Sequence, residues 1–117
     1  MNSIVIKRIY DKASEDDGYR ILVDRIWPRG VSKEEANLDE WVKTIAPSTA
    51  LRKWFDHKEE RFQEFTIKYK EELIAQTEEL HRIKKIADTQ HVTLLYGAKN
   101  TLLNQAIVLK NFLNNEL

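Results

Sequence analysis

Seven consecutive residues, Asp24-Arg25-Ile26-Trp27-Pro28-Arg29-Gly30, gather one carboxylate, two guanidinium groups and an indole. A guanidinium is a rigid fork of donors that matches phosphate or carboxylate geometry. A second polar stretch, Gly97-Ala98-Lys99-Asn100, offers an ammonium and an amide. If both stretches leave parallel strands at the same edge, Arg25, Arg29 and Lys99 converge beside Asp24 and can grip an anion. Backbone N–H groups after Gly30, or at the helix start near Asn100, would complete the cradle. Asp24 then orients Arg25 or serves as a base. A charged arginine beside it would lower its pKa, which favours the orienting role.

A purely structural reading is the default for such residues. Asp24 and Arg25 would then form salt bridges that tie the turn to a helix, and Trp27 and Pro28 would plug the packing. Two secondary candidates lie further on. Arg52 stands four residues before Asp56, the spacing of a helix-surface pair. His57 is a candidate acid or base because imidazole exchanges protons near neutral pH, although a solvated histidine in a first helical turn is the commoner case. His81 sits beside Glu78 and Glu79 on a charged helix face, and His91 opens a strand. No histidine pair has ligand spacing, and with no cysteine in the chain neither a metal site nor a thiolate nucleophile is expected. Three glycines exclude a P-loop or dinucleotide fingerprint, so no cofactor is expected.

The elements that must position these groups follow from periodicity. Ile4 to Ile9 alternates and predicts a first strand; Asp11 to Gly18 is a polar loop ending in a turn signal. Arg20 to Asp24 encloses the apolar run Ile21-Leu22-Val23, as a strand buried on both faces requires. Ser32 and Glu35 have capping-box spacing and predict a helix carrying Leu38, Trp41, Val42 and Ile45. A short helix over 48–55 buries Leu51, Trp54 and Phe55. Asp56 and Glu59 suggest another capping box, opening a long helix from Phe62 to Ala87. Gln76 breaks its stripe and Thr77 is a candidate cap, so two helices or a kink are expected. His91 to Tyr96 is a late strand, and Leu102 to Leu113 a closing helix. Strands alternating with helices predict an α/β fold: a small, mostly parallel sheet flanked by helices in three layers. The first connection is short for a parallel crossover, which leaves the direction of the first strand open.

The 117 residues suit a single domain, 1–117. Nineteen basic and nineteen acidic residues cancel, so no global field recruits nucleic acid or an anionic membrane, and any anion site is local. The start, Met1 to Arg8, breaks its apolar run with charge and is not read as a signal peptide. No stretch approaches the roughly 20 apolar residues of a membrane span. Together with the missing cysteines this points to the cytoplasm. A free sheet edge leaves a homodimer open without specifying one.

The strings Gly18-Tyr-Arg-Ile-Leu-Val-Asp-Arg-Ile-Trp-Pro-Arg-Gly30, Leu38-Asp-Glu-Trp41, Ala46-Pro-Ser-Thr49 with Leu51-Arg52, and Thr93-Leu-Leu-Tyr-Gly-Ala-Lys-Asn100 resemble the YeaO-like branch of a larger bacterial family of unknown function, family four-eight-eight. The likeness runs nearly end to end. It implies a three-layer α/β fold in a bacterial cytoplasm and carries no established activity. Its pattern includes Asp24, Arg25, Pro28, Arg29, Lys99 and Asn104, which extends the candidate ligand set to Asp24, Arg25, Trp27, Arg29, Lys99, Asn100 and Asn104. Longer members of the broader family often place Cys-His-Arg after the late loop, where this chain has Leu103-Asn104-Gln105. Chemistry needing that thiol and imidazole is therefore not expected here. The leading expectation is a binder, or an enzyme, for a phosphate- or carboxylate-bearing small molecule. The alternative is a non-enzymatic interaction or regulatory module that binds protein or nucleic acid through the same basic edge.

Overall fold

A computed structural model describes residues 4–117; Met1 to Ser3, part of the start considered above, lie outside them. The strands are β1 (Ile4–Arg8), β2 (Tyr19–Leu22), β3 (Glu40–Trp41) and β4 (Val92–Tyr96), in the order β1-β4-β2-β3. All three pairings are parallel. The open direction of β1 is thereby settled: Ile4 faces Val92 and Arg8 faces Tyr96. A short return suffices because ten extended residues reach about 33 Å, more than a five-residue strand of about 17 Å plus two strand spacings. Within that return Ser14 caps a 3-10 turn over Glu15–Asp17.

Alternate side chains of the central strands feed two apolar clusters. Ile21, Val23, Leu94 and Tyr96 meet α2 (Thr49–Phe55), α3 (Phe62–Ile74), α4 (Thr77–Thr89) and α5 (Gln105–Asn115) in the main core. Leu22 and Leu95 point the other way, to Ile9, Ala36, Trp27, Leu38 and Trp41. The result is three layers, with one face covered by long helices and the other by loops and the one-turn α1 (Lys33–Ala36). Among the described residues, no helix is long and apolar enough to cross a membrane.

Four local expectations are corrected. The capping box at Ser32 and Glu35 forms, but its helix stops where Asn37 turns left-handed at φ 46°. Residues 38–45 are not helical. Asp39 N–H donates to Arg20 O and Val42 N–H to Leu22 O, so this segment pairs along the open edge of β2. Its apolar residues are divided between the two clusters, which an i, i+3, i+4 pattern also allows. Asp56 is the left-handed C-cap of α2, not the N-cap of the next helix, and His57 is left-handed too. A 3-10 turn over Glu59–Arg61 then leads into α3. The break near Gln76 is present, but Gln76 occupies the cap position and Thr77 is the first helical residue. The final helix begins at Gln105 rather than Leu102, because the Asn104 carboxamide accepts from Ile107 N–H at 3.0 Å.

Candidate functional site

β2 and β4 lie side by side and parallel, so their exits open on one edge, where ligands collect in open α/β sheets. A cleft of about 770 Å³ occupies that edge, between the loop after β2, helix α2, the turn after α2 and the start of α5. Its lining includes Asp24, Arg25, Trp27, Arg29, Arg52, His57 and Asn104. Lys99 and Asn100 do not line it. Lys99 is exposed. Asn100 shapes the loop instead: its carboxamide oxygen accepts from Leu102 and Leu103 N–H, each at 2.9 Å, and its nitrogen donates to Glu59.

Asp24 sits at the junction of the two strand exits. One carboxylate oxygen accepts from Gly97 N–H at 2.8 Å, and the other from the Gln105 side-chain amide. The fit is close: a Cβ on Gly97 would stand 3.1 Å from Asp24 Oδ2, so a larger residue there would push on the carboxylate. Burial raises the Asp24 pKa from an ordinary 3.8 to about 6, against the opposing pull of the Gly97 hydrogen bond, the Arg52 charge and the Gln105 hydrogen bond.

The expected Asp24–Arg25 partnership is absent. Arg25 Nε donates to Pro47 O at 3.0 Å and its Nη2 to Ala46 O at 3.1 Å, so this guanidinium ties the strand exit to the start of α2. The expected depression of the Asp24 pKa by an arginine is reversed because burial outweighs the pull of the Arg52 charge. Neither residue joins an ion pair among the described residues, so the salt-bridge version of the structural reading is not seen there either. Trp27 does act as a packing element: Nε1 donates to Val31 O at 2.7 Å, and its ring meets Trp41 edge-on at 5.2 Å. It also lines the cleft.

Arg52 forms no ion pair with Asp56, because the left-handed turn at Asp56 ends the helix on which that spacing would work. His57 is exposed at the mouth, and Phe65, 1% exposed, lies deep in the lining. Three lining residues went unnoticed in the sequence: Tyr10, Lys53 and Gln105. Tyr10 reaches across from the end of β1, its hydroxyl donating to Arg29 O at 2.9 Å. No spacing signals such a contact between distant segments. Gln105 adjoins a candidate residue, and only its place in the first turn of α5 turns it toward Asp24.

The comparisons with known proteins bear on the whole chain. The family model described as "Inactive DUF488-N3 subclade" matches residues 3–117. The chain belongs to that subclade. It is 50% identical over 111 residues to "Uncharacterized protein YeaO" of Escherichia coli strain K12, covering 95% of this chain and 96% of that protein. It is 38% identical over 109 residues to "Uncharacterized protein Rv3073c" of Mycobacterium tuberculosis and to "Uncharacterized protein Mb3100c" of Mycobacterium bovis, covering 93% of this chain and 92% of each relative. No solved structure gives a significant match. Subclade membership agrees with the resemblance read from the strand exits.

The raised pKa of Asp24 makes a stability prediction with a definite sign. Between the ordinary value and about 6 the folded state holds a proton that the unfolded state has released. Stability therefore falls as pH rises through this window, and the full penalty stands above it. Two pKa units correspond to about 3 kcal/mol at most. Asp24→Asn keeps an acceptor for Gly97 N–H, and the Gln105 amide can turn to meet the new NH2. The variant is expected to be more stable than the parent at pH 8 and equal to it at pH 4. Urea denaturation at both pH values checks this; an equal difference at the two would refute it.

Proposed function

We propose that the cleft binds a small anionic molecule bearing a phosphate or carboxylate, without turnover. The observation that carries this reading is that Arg25, Arg29, Arg52 and Lys53 line one cleft and none has an ion-pair partner among the described residues. Lys7, Arg20 and Arg82, by contrast, are each paired with a carboxylate elsewhere in the fold. Four cations against two carboxylates, Asp24 and Asp56, leave the concave surface with an excess of positive charge beside aromatic and proline side chains, as an anion pocket requires. Arg25 is spent on two carbonyls, so the grip falls to Arg29, Arg52 and Lys53.

Two facts favour binding over catalysis. The lining holds no serine, threonine or cysteine among the described residues, and the subclade is described as inactive. A second reading, with Asp24 as a proton acceptor, is favoured by its pKa near 6, since groups that move protons are tuned toward the working pH.

Calorimetric titration with inorganic pyrophosphate and with citrate tests the proposal. Binding to the parent protein is expected to weaken at least about tenfold in Arg52→Ala, as for loss of a charge-assisted hydrogen bond. Equal affinities in parent and variant, or no binding of either probe, would defeat it. Chemical conversion of a bound ligand that Asp24→Asn abolishes would decide for the second reading. Steeply salt-dependent binding of oligonucleotides would instead favour a nucleic-acid module.

A further inference from the structure

The cleft is polarised along its depth. Its inner part combines Asp24 with Phe55 and Phe65, which are 7% and 1% exposed, while Arg29, Lys53 and His57 are exposed at the mouth. A simple anion satisfies only the mouth. It leaves Asp24 as a carboxylate at the inner end with no ion-pair partner among the described residues. It also leaves most of about 770 Å³ unfilled.

Asp24 has accepting capacity to spare. Gly97 N–H and the Gln105 amide each occupy one oxygen. A carboxylate oxygen has two lone pairs, so each oxygen can accept one more donor. The two oxygens of one carboxylate can together accept a pair of parallel N–H groups on a planar head. Phe55, Trp27 and Tyr10 supply flat surfaces for a planar ring.

We infer that the cleft is shaped for a purine nucleotide, with a guanine-type edge against Asp24 and the phosphate on Arg29, Arg52 and Lys53 at the mouth. Guanine presents adjacent N1–H and 2-amino donors, the pair that a carboxylate accepts in bidentate fashion. The inference rests on the anion-binding reading and gives that anion a molecule.

Guanosine 5′-monophosphate, inosine 5′-monophosphate and inorganic pyrophosphate are the probes, titrated into the parent protein, Asp24→Asn and Arg52→Ala. Inosine monophosphate lacks only the 2-amino group. The guanine nucleotide is expected to bind at least about tenfold tighter than the inosine nucleotide, the size of one lost hydrogen bond to a charged acceptor. That preference is expected to vanish in Asp24→Asn, while Arg52→Ala weakens all three probes alike. Equal affinity for the two nucleotides, or a preference that survives in Asp24→Asn, overturns the inference. If pyrophosphate binds and depends on Arg52 while the guanine nucleotide binds no tighter than the inosine one, only the purine assignment falls. If no probe binds, the anion-binding reading falls with it.

Discussion

Replacing Arg20 by leucine is expected to destabilise the protein by about 3–5 kcal/mol, the cost of breaking a buried ion pair from one side. Arg20 is only 2% exposed, at the start of β2. Its Nη1 donates to Asp17 at 2.5 Å, its Nη2 to Ala36 O at 2.7 Å, and its Nε to Ala36 O and Asn37 O. One guanidinium thus joins the turn before β2, the strand itself and the end of α1. Leucine would fill much of the volume but leave those carbonyls without a donor. It would also leave Asp17 with only Lys7, at 3.0 Å, as a cationic partner. Burial raises the Asp17 pKa, but hydrogen bonds from Ser14 N–H, Lys7 and Arg20 outweigh it and hold the carboxyl below its ordinary value. The stability this contributes is present above the unfolded-state pKa and is lost as pH falls through the folded one. Chemical denaturation at pH 7 and pH 3 is therefore expected to show the larger Arg20→Leu penalty at pH 7. A change under 1 kcal/mol at pH 7 would contradict the assignment.

Gly18→Ala is the second large effect, expected at about 3 kcal/mol or more. Gly18 has φ 65° and ψ −129°, in a region that only glycine enters readily. A Cβ there would stand 2.3 Å from His91 O, a backbone atom that cannot yield without moving β4. His91 O also accepts from Tyr19 N–H at 2.8 Å, the first link between β2 and β4. The substitution therefore attacks the pairing that brings Asp24 next to Gly97. Gly30→Ala is the control. Gly30 also has positive φ, at 79°, but its Cβ would meet nothing within 4 Å, so only about 1 kcal/mol of backbone strain is expected. Thermal melts should separate the two by on the order of 10 °C for a chain of this size. Equal losses would show that steric contact at Gly18 is not the cause.

Much of the architecture was legible locally. The β-branched run at Ile4, the apolar core Ile21-Leu22-Val23 and the late run Val92 to Tyr96 each form strands, and all pair in parallel. The short helix after Ser48 and the break near Gln76 also stand where periodicity puts them. The failures share a cause. Leu38 to Ile45 carries helical spacing, yet the unpaired edge of β2 draws that segment into hydrogen bonds with Arg20 and Leu22. Asp56 and Glu59 have capping spacing, yet Asp56 is needed in a left-handed turn that lets α3 fold back on α2. In both places a distant partner outweighed a local preference.

The candidate site divides in the same way. Residue types and strand ends were enough to select Asp24, Arg25, Trp27 and Arg29, because the alternation of strands and helices dictates which loops share an edge. Only the tertiary structure decided what each group does there. It turned Arg25 away to two carbonyls, sent Lys99 to solvent, brought Arg52, His57 and Tyr10 to the cleft, and set Gln105 against Asp24. The physical reason is range. Strand and helix preferences act over a few residues and are written in sequence. A carboxylate's partners and pKa depend on burial and on side chains tens of residues away, which no spacing along the chain encodes.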